Sequence, residues 1–163
     1  MLGQFRGCVS GSRTLLFLIC GVLPSFAQAT SAGQTPCPER SLLAGSYASE
    51  RLWVWQKRLN LLEWKISVVV SPAGELKAKT LGNIHWDREK KTAVIRVLDP
   101  TDYNNMPLAS ILRDIEFTVV HELIHLEMVP VFSDLYRSDA NRREEEFAVN
   151  HVVEALLKLD RGQ

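Results

Sequence analysis

Two histidines four residues apart constrain this chain more than any other feature. His121 and His125 enclose Glu122 in the pattern H-E-x-x-H, within a segment whose apolar residues recur at three- and four-residue steps. That periodicity predicts a helix from about Leu108 to Met128 with one side in the core. On such a helix the two imidazoles share one face, one turn apart, so both rings can reach a single metal ion.

The residue types in this pattern fit zinc. Neutral imidazole nitrogens are good zinc ligands, and Glu122 is left free to take a proton from a metal-bound water. A catalytic zinc site also needs a third protein ligand, while one position stays open for water. The metzincin solution, a third histidine six residues after His125, is excluded because Val131 stands there and Met128 stands where that class needs glycine. Another part of the chain must therefore supply the third ligand.

The last predicted helix offers three consecutive glutamates, Glu144, Glu145 and Glu146. Glu146 shares the predicted core-facing side of this helix with Asn150, which could hydrogen-bond a ligand histidine and orient it. Glu144 and Glu145 have no polar residue four positions on, and we expect them to face outward, where the helix dipole stabilises acidic side chains. We therefore favour Glu146 as the third ligand and keep Glu145 as the alternative.

The two motifs together resemble the gluzincin metallopeptidases. In that family the helix with H-E-x-x-H is followed by a helix with a ligand glutamate and, four residues later, Asp or Asn, like Glu146 and Asn150. Over about residues 49–160 the layout is most similar to the minimal gluzincins, including the ImmA/IrrE-like group. The chain departs from the family at Val149, where alanine is usual, and at Ile124, where a small residue is frequent.

The resemblance implies a zincin-like fold and the hydrolysis of peptide bonds. His121, His125 and Glu146 would bind Zn²⁺. Glu122 would act as general base, and Asn150 would orient a histidine. The alternative function is a non-catalytic exported binding domain with a structural or vestigial zinc site, and a third is a hydrolase of non-peptide amides. Glu122 favours the enzyme, because a structural site needs no general base.

Two further features of the substrate site are open at this stage. One is the group that stabilises the oxyanion formed when water attacks the peptide carbonyl. By residue type alone, the candidates for this role are His85, Tyr103, Tyr136 and His151. A peptide substrate could extend along the edge of the strand around Gly82–Asp87 by adding to the sheet as a further strand.

The remaining pattern predicts a small α+β domain with an antiparallel or mixed three-stranded sheet. An amphipathic helix is expected at 48–62, followed by a strand at 64–70. Two strand-like runs at 81–87 and 92–98 enclose a short charged turn, which is typical of a β-hairpin. The N-terminal helix and the sheet would thus precede the metal-binding helix.

Loops are predicted on both sides of the metal-binding helix. Residues 99–107 lead into it, and Val129-Pro130 is expected to end it, because a residue before proline disfavours the helical conformation. A second loop at 130–140 leads to the C-terminal helix, which would carry the third ligand. Ser138 and Asp139 are both suitable N-caps for that helix.

The N-terminus has the features of an export signal. Arg6 and Arg13 precede the apolar core Leu15–Leu23, and small residues allow cleavage after Ala27 or Ala29. The core is too short to cross a bilayer as a mature helix, which takes about 20 residues. We expect a periplasmic or secreted protein with no stable membrane span after cleavage. An uncleaved signal that tethers the chain to the membrane is the alternative.

Length and charge complete the expected organisation. The 163 residues suit one folded domain, and we expect a signal peptide at 1–29, a linker at 30–48 and the metallopeptidase domain at 49–163. Lys plus Arg and Asp plus Glu number 19 each, so the basic excess of a nucleic-acid-binding protein is absent. The predicted partner is a peptide or protein substrate. Cys37, the one cysteine after the signal, would be a free or intermolecular thiol without a catalytic role.

Overall fold

The computed structural model describes residues 37–132 and 138–163. In these ranges the chain forms an α+β domain of three α-helices and a three-stranded mixed sheet. The elements are α1 Cys37–Arg58, β1 Lys65–Ser71, β2 Gly82–Asp87, β3 Thr92–Leu98, α2 Leu108–Phe132 and α3 Asp139–Asp160. Short 3₁₀ turns follow β1 at Ala73–Glu75 and β3 at Pro100–Asp102. The predicted signal peptide at 1–29 lies outside the described residues.

The sheet has the order β1-β3-β2, with β3 in the centre. β1 pairs with β3 in parallel, and β2 pairs with β3 antiparallel through the predicted hairpin. The alternation in β3 is that of a strand with one buried face, since Ala93, Ile95 and Val97 are buried while Thr92, Val94 and Arg96 are partly exposed. Because β3 is the central strand, β2 lies at an edge of the sheet, and its free backbone groups can pair with another extended segment.

The core lies between the buried face of the sheet and the helices. Each helix buries a stripe of apolar side chains in this core. A fully buried aliphatic side chain contributes about 1.5–3 kcal/mol to folding, so these stripes mainly decide where the helices lie. The stripes are Ala44, Ala48, Leu52 and Trp55 in α1, Ile111, Ile115, Val119, Leu123 and Leu126 in α2, and Val149, Val153 and Leu157 in α3. Within the described ranges, no helix is both long enough and apolar enough to cross a bilayer.

The start of α1 corrects the predicted linker. The helix begins at Cys37 rather than at Ala48, so residues 37–48 of the expected linker are helical. Ala44 and Ala48 are fully buried and continue the stripe of Leu52 at four-residue steps. Small side chains at these positions let the helix pack closely, although the Ser- and Gly-containing sequence had suggested a linker.

Two helix ends also differ from the prediction. α1 ends at Arg58, four residues early, and the chain turns at Asn60, whose φ of 56° is in the left-handed region. α2 does not end at Val129-Pro130 but continues to Phe132. Pro130 lacks a backbone N–H, but it lies in the last turn, and the buried Val129 holds that turn against the core.

The start of α3 confirms one predicted N-cap. Ser138 has extended backbone angles, and its hydroxyl accepts a hydrogen bond from the backbone N–H of Asn141 at 3.2 Å. This cap satisfies one of the backbone donors that a helix leaves unpaired in its first turn. Residues 133–137 of the predicted loop lie outside the described residues.

A buried carboxylate, which the sequence did not predict, joins α1, α2 and the end of α3. Glu116 accepts hydrogen bonds from Arg51 at 3.1 Å, Trp55 Nε1 at 3.3 Å, Tyr47 at 3.4 Å and Arg161 at 3.0 Å. Burial would raise the pKa of Glu116, but the hydrogen bonds from Trp55, Arg161 and Arg51 outweigh it and lower that pKa. The buried charge is thus compensated by three donors from α1 and one from the chain that follows α3.

Candidate metal centre

The two motif histidines lie one turn apart on α2 with their rings together. The Nε2 atoms of His121 and His125 are 3.0 Å apart, and the rings meet edge to face with centroids 4.6 Å apart. Val120 and Leu123, on the other side of the helix, are fully buried and fix its rotation. The two imidazoles are therefore held at the surface of the core with the same nitrogen of each ring facing the same point.

α3 brings a carboxylate to that point. The Oε2 atom of Glu146 lies 3.2 Å from His121 Nε2, and its Oε1 atom lies 3.5 Å from His125 Nε2. The buried Val149 and Val153 orient α3 so that Glu146 faces α2. One ligand atom from each of the three residues lies within 4.8 Å of the other two. The structure thus brings together the three ligands that the sequence predicted.

The geometry of these three residues fits a zinc ion. Two atoms that each lie about 2.1 Å from an ion at a tetrahedral angle are about 3.4 Å apart. The separations of 3.0, 3.2 and 3.5 Å between the three groups are close to that value. Two imidazole nitrogens and a carboxylate are a donor set that zinc prefers, and three protein ligands is the number found in catalytic sites.

Glu145 differs from the prediction, because it faces inward. Its side chain is only 7% exposed, and its Oε1 atom lies 3.0 Å from Nδ1 of His125. The carboxylate therefore faces the ring nitrogen that points away from the candidate metal position. A proton on Nδ1 would be held by Glu145, which leaves the lone pair of Nε2 free for a metal. The sequence carried a signal for this position, since Glu145 stands four residues before the fully buried Val149.

Asn150 lies beside the other histidine. Burial, followed by the charge of His125, lowers the pKa of His121 and outweighs the charge of Glu146 and the hydrogen bond of Asn150, which both favour a protonated ring. The lowered pKa favours the neutral imidazole, which is the form that binds metals. The Nδ1 atom of His121 is buried without a hydrogen bond of good geometry. Asn150 lies beside this ring, where its amide oxygen can accept a hydrogen bond from a ring N–H.

Glu122 is buried next to the first histidine. Burial and, to a smaller extent, the negative charge of Glu146 raise the pKa of Glu122 to about 7, against the opposing positive charge of Lys77. A carboxylate whose pKa lies near neutrality can both accept and return a proton. A cation held by the neighbouring ligands would favour the ionised form of Glu122.

A cleft of about 770 Å³ contains all of these groups. α2 contacts both β2 and α3, and the cleft opens between these two elements. Gly82 allows β2 to lie close to α2, because a Cβ atom at this position would lie 2.4 Å from Thr118 Cγ2 and 2.4 Å from the carbonyl oxygen of Arg96. Only glycine allows the edge strand to start this close to α2.

The structure places none of the three described oxyanion candidates in the cleft. His85 is exposed on β2, and Tyr103 is buried elsewhere with a hydroxyl that lacks a partner. Burial and the charge of Asp114 raise the pKa of Tyr103 to about 12. His151 is exposed and packs on Phe147, with ring centroids 4.1 Å apart. The fourth candidate, Tyr136, lies outside the described residues.

Comparisons with protein-family models, with curated proteins and with solved structures find no match to this chain. The description of the site therefore rests on the chain itself. An α+β domain holds two imidazoles and one carboxylate at distances suited to a metal ion, beside a buried glutamate and a cleft with a free strand edge.

Proposed function

We propose that this chain is an exported zinc-dependent peptidase of the gluzincin type with a zincin-like fold. One observation carries the proposal: Nε2 of His121, Nε2 of His125 and the carboxylate of Glu146 converge within 3.0–3.5 Å from two separate helices. Chance contact does not explain this convergence well, because Glu145 holds His125 from behind and Asn150 lies against His121. The export step is proposed from the pattern of residues 1–29.

The residues around the centre have the chemistry that peptide hydrolysis requires. Zinc, when bound, lowers the pKa of a coordinated water toward about 7 and polarises a carbonyl. Glu122 would accept the proton of the attacking water at its carboxylate and deliver it to the leaving amine nitrogen. Its burial beside His121 excludes bulk water from this proton transfer. Glu145 would hold His125 in the tautomer that presents Nε2.

The shape of the cleft supports an extended peptide as the substrate. β2 is an edge strand and lines the cleft together with the three proposed ligands. A peptide could pair with the free backbone groups of Gly82–Asp87 and so pass the metal centre in an extended conformation. A small amide would leave most of the 770 Å³ unfilled, which favours peptides over the non-peptide amides.

A structural zinc site in a binding domain is the competing function. Structural sites are usually closed by four protein ligands, whereas three ligands converge in the described part of this chain. Glu145, the nearest further carboxylate, contacts Nδ1 of His125 and not the shared point. The buried Glu122 also has no function in such a site. These observations favour the enzyme.

Metal analysis combined with three variants tests the proposal. We expect about one zinc per chain in the purified protein, measured by mass spectrometry of the metal content. Glu122→Gln should keep zinc and lose cleavage of quenched fluorescent peptides, and Glu146→Ala should bind zinc more weakly. Glu144→Ala, an exposed neighbour in the same run, is the matched control and should change neither. Full zinc affinity in Glu146→Ala would refute the ligand assignment, and undiminished cleavage by Glu122→Gln would refute the mechanism.

A further inference from the structure

Three cations line the cleft outside the candidate metal centre. Lys77 and Lys79 belong to the segment that precedes β2, and Arg142 belongs to the first turns of α3. All three residues are exposed. Because the cleft opens between β2 and α3, the lysines and the arginine lie on different walls. A peptide that follows the edge strand past the metal centre would therefore meet positive charge on both sides.

The acidic residues of the cleft are already engaged. Glu145 contacts His125, and Glu146 contacts both histidines. Glu122 is buried in the helix surface, where the charge of Lys77 acts on it without a direct ion pair. In the part of the chain that the structure describes, Lys77, Lys79 and Arg142 form no ion pair.

Several cations elsewhere on the surface are paired. Their ion pairs are Lys90 with Asp87 at 2.7 Å, Lys91 with Glu63 at 2.9 Å and Arg58 with Asp160 at 2.6 Å. Residues 1–29 contain two arginines and no acids, which leaves 17 basic and 19 acidic residues in the rest of the chain. Lys77, Lys79 and Arg142 place three positive charges around the outer part of the cleft, where they can attract anionic ligands.

We propose that the cleft selects peptide segments that carry Asp or Glu close to the scissile bond, with Lys77, Lys79 and Arg142 as the groups that bind these carboxylates. This inference rests on the proposed peptidase function and names its substrate class. Arg142 can bind a carboxylate through two parallel hydrogen bonds, and the lysines act as point charges. Selection also comes from repulsion, because a basic segment would be disfavoured at the same positions.

Matched peptides test this selectivity with the zinc-loaded protein. Three quenched fluorescent peptides share one length and one neutral core and carry Glu, Gln or Lys on both sides of it. We expect kcat/KM to fall in the order Glu, Gln, Lys, with about a 10-fold or larger span, because several exposed charge pairs act together. Raising the salt from about 0.05 M to about 0.5 M should reduce this span, since screening weakens exposed pairs.

Charge reversal in the cleft locates the effect. In the variant Lys77→Glu/Lys79→Glu, with or without Arg142→Gln, the ratio of kcat/KM for the Glu peptide to kcat/KM for the Gln peptide should fall about 10-fold, and this ratio cancels any effect of the lost Lys77 charge on Glu122. The Lys peptide should be cleaved faster than by the unmodified protein. Lys65→Glu/Lys158→Glu is the matched control, because it changes the net charge equally on β1 and near the end of α3, outside the cleft. It should leave the order of the three peptides unchanged.

Binding separates this inference from the proposed peptidase activity. The zinc-loaded Glu122→Gln variant is titrated with the same three peptides, labelled for fluorescence anisotropy. If no peptide is cleaved by the unmodified protein but the Glu peptide binds most tightly, and Lys77→Glu/Lys79→Glu abolishes that preference, the selectivity stands and the peptidase activity fails. Equal binding and cleavage of all three peptides, or binding of none, would overturn the selectivity.

Discussion

The contact between Glu145 and His125 predicts a specific loss of metal affinity. The Oε1 atom of Glu145 lies 3.0 Å from Nδ1 of His125, and the two side chains are 7% and 13% exposed. A hydrogen bond to a charged group in such a shielded position contributes about 1.5–3 kcal/mol. The corresponding range for a carboxylate that supports a ligand histidine is about 10–100-fold in metal affinity. We therefore expect Glu145→Ala to weaken zinc binding by about 10–100-fold.

The amide variant refines this prediction. Glu145→Gln keeps an oxygen that can accept the Nδ1 proton but removes the charge, so its loss should be smaller, about 3–10-fold. Competition with a chromophoric zinc chelator at pH 7 measures both variants, with the exposed Glu144→Gln as the control. The Glu146→Ala variant should lose more affinity than either, because it lacks a ligand.

Two outcomes would refute this reasoning. If Glu145→Ala binds zinc within about 2-fold of the unmodified protein, the contact does not orient His125. If Glu145→Ala loses as much affinity as Glu146→Ala, Glu145 is itself a ligand and its observed position does not represent the metal-bound protein.

Three further predictions concern stability and are measured by urea denaturation. Gly82→Ala should destabilise the fold by about 1–3 kcal/mol, because its Cβ would collide with Thr118 and the backbone beside it, whereas the same change at the open Gly74 should have little effect. Glu116→Gln should destabilise by about 1–3 kcal/mol at pH 7, since it takes the charged acceptor from Arg51, Trp55 and Arg161 but keeps one side-chain oxygen. The folded-state pKa of Glu116 is lowered, so this contribution to stability is fully present above the unfolded-state pKa of about 4.3. It is lost as the pH falls through the folded-state pKa, and the stability difference between the two proteins should therefore shrink in acid. A difference that stays constant with pH would contradict the assignment. Ser138→Ala should cost about 1 kcal/mol through loss of the N-cap of α3, and an unchanged midpoint would show that the cap is dispensable.

Local patterns predicted those parts of the fold that local physics decides. β3 was predicted at the bounds that it has, because alternation and β-branched residues specify a half-buried strand wherever it lies. The N-cap at Ser138 was likewise predicted from its residue type, because serine is favoured at the start of a helix. The proximity of His121, His125 and Glu146 was also predictable, because helical spacing puts the two histidines on one face of α2, and the polar pair Glu146 and Asn150 on one face of α3 indicated the nearest carboxylate.

Tertiary contacts decided the rest. The helical start of α1 depends on the burial of Ala44 and Ala48 against partners far along the chain, which their own sequence does not reveal. The inward position of Glu145 depends on how α3 rotates against α2. Lys77 and Lys79 reach the cleft only because β2 is an edge strand. β2 is at the edge because β1 pairs in parallel with β3, and no single segment of the sequence specifies that pairing.

The division of the ligands between two helices links metal binding to folding. In the proposed zinc site α2 would supply two ligands and α3 the third, so an ion there would act as a cross-link that closes a loop of about 20 residues. Such a cross-link stabilises the folded state by an amount that grows with the logarithm of the free zinc concentration. Substitutions that loosen the packing of α3, such as Val149→Ala, would then weaken zinc binding although they touch no ligand. On the proposed function, zinc depletion would remove this cross-link and lower the stability of the folded protein, so the supply of the metal would influence how long the protein persists.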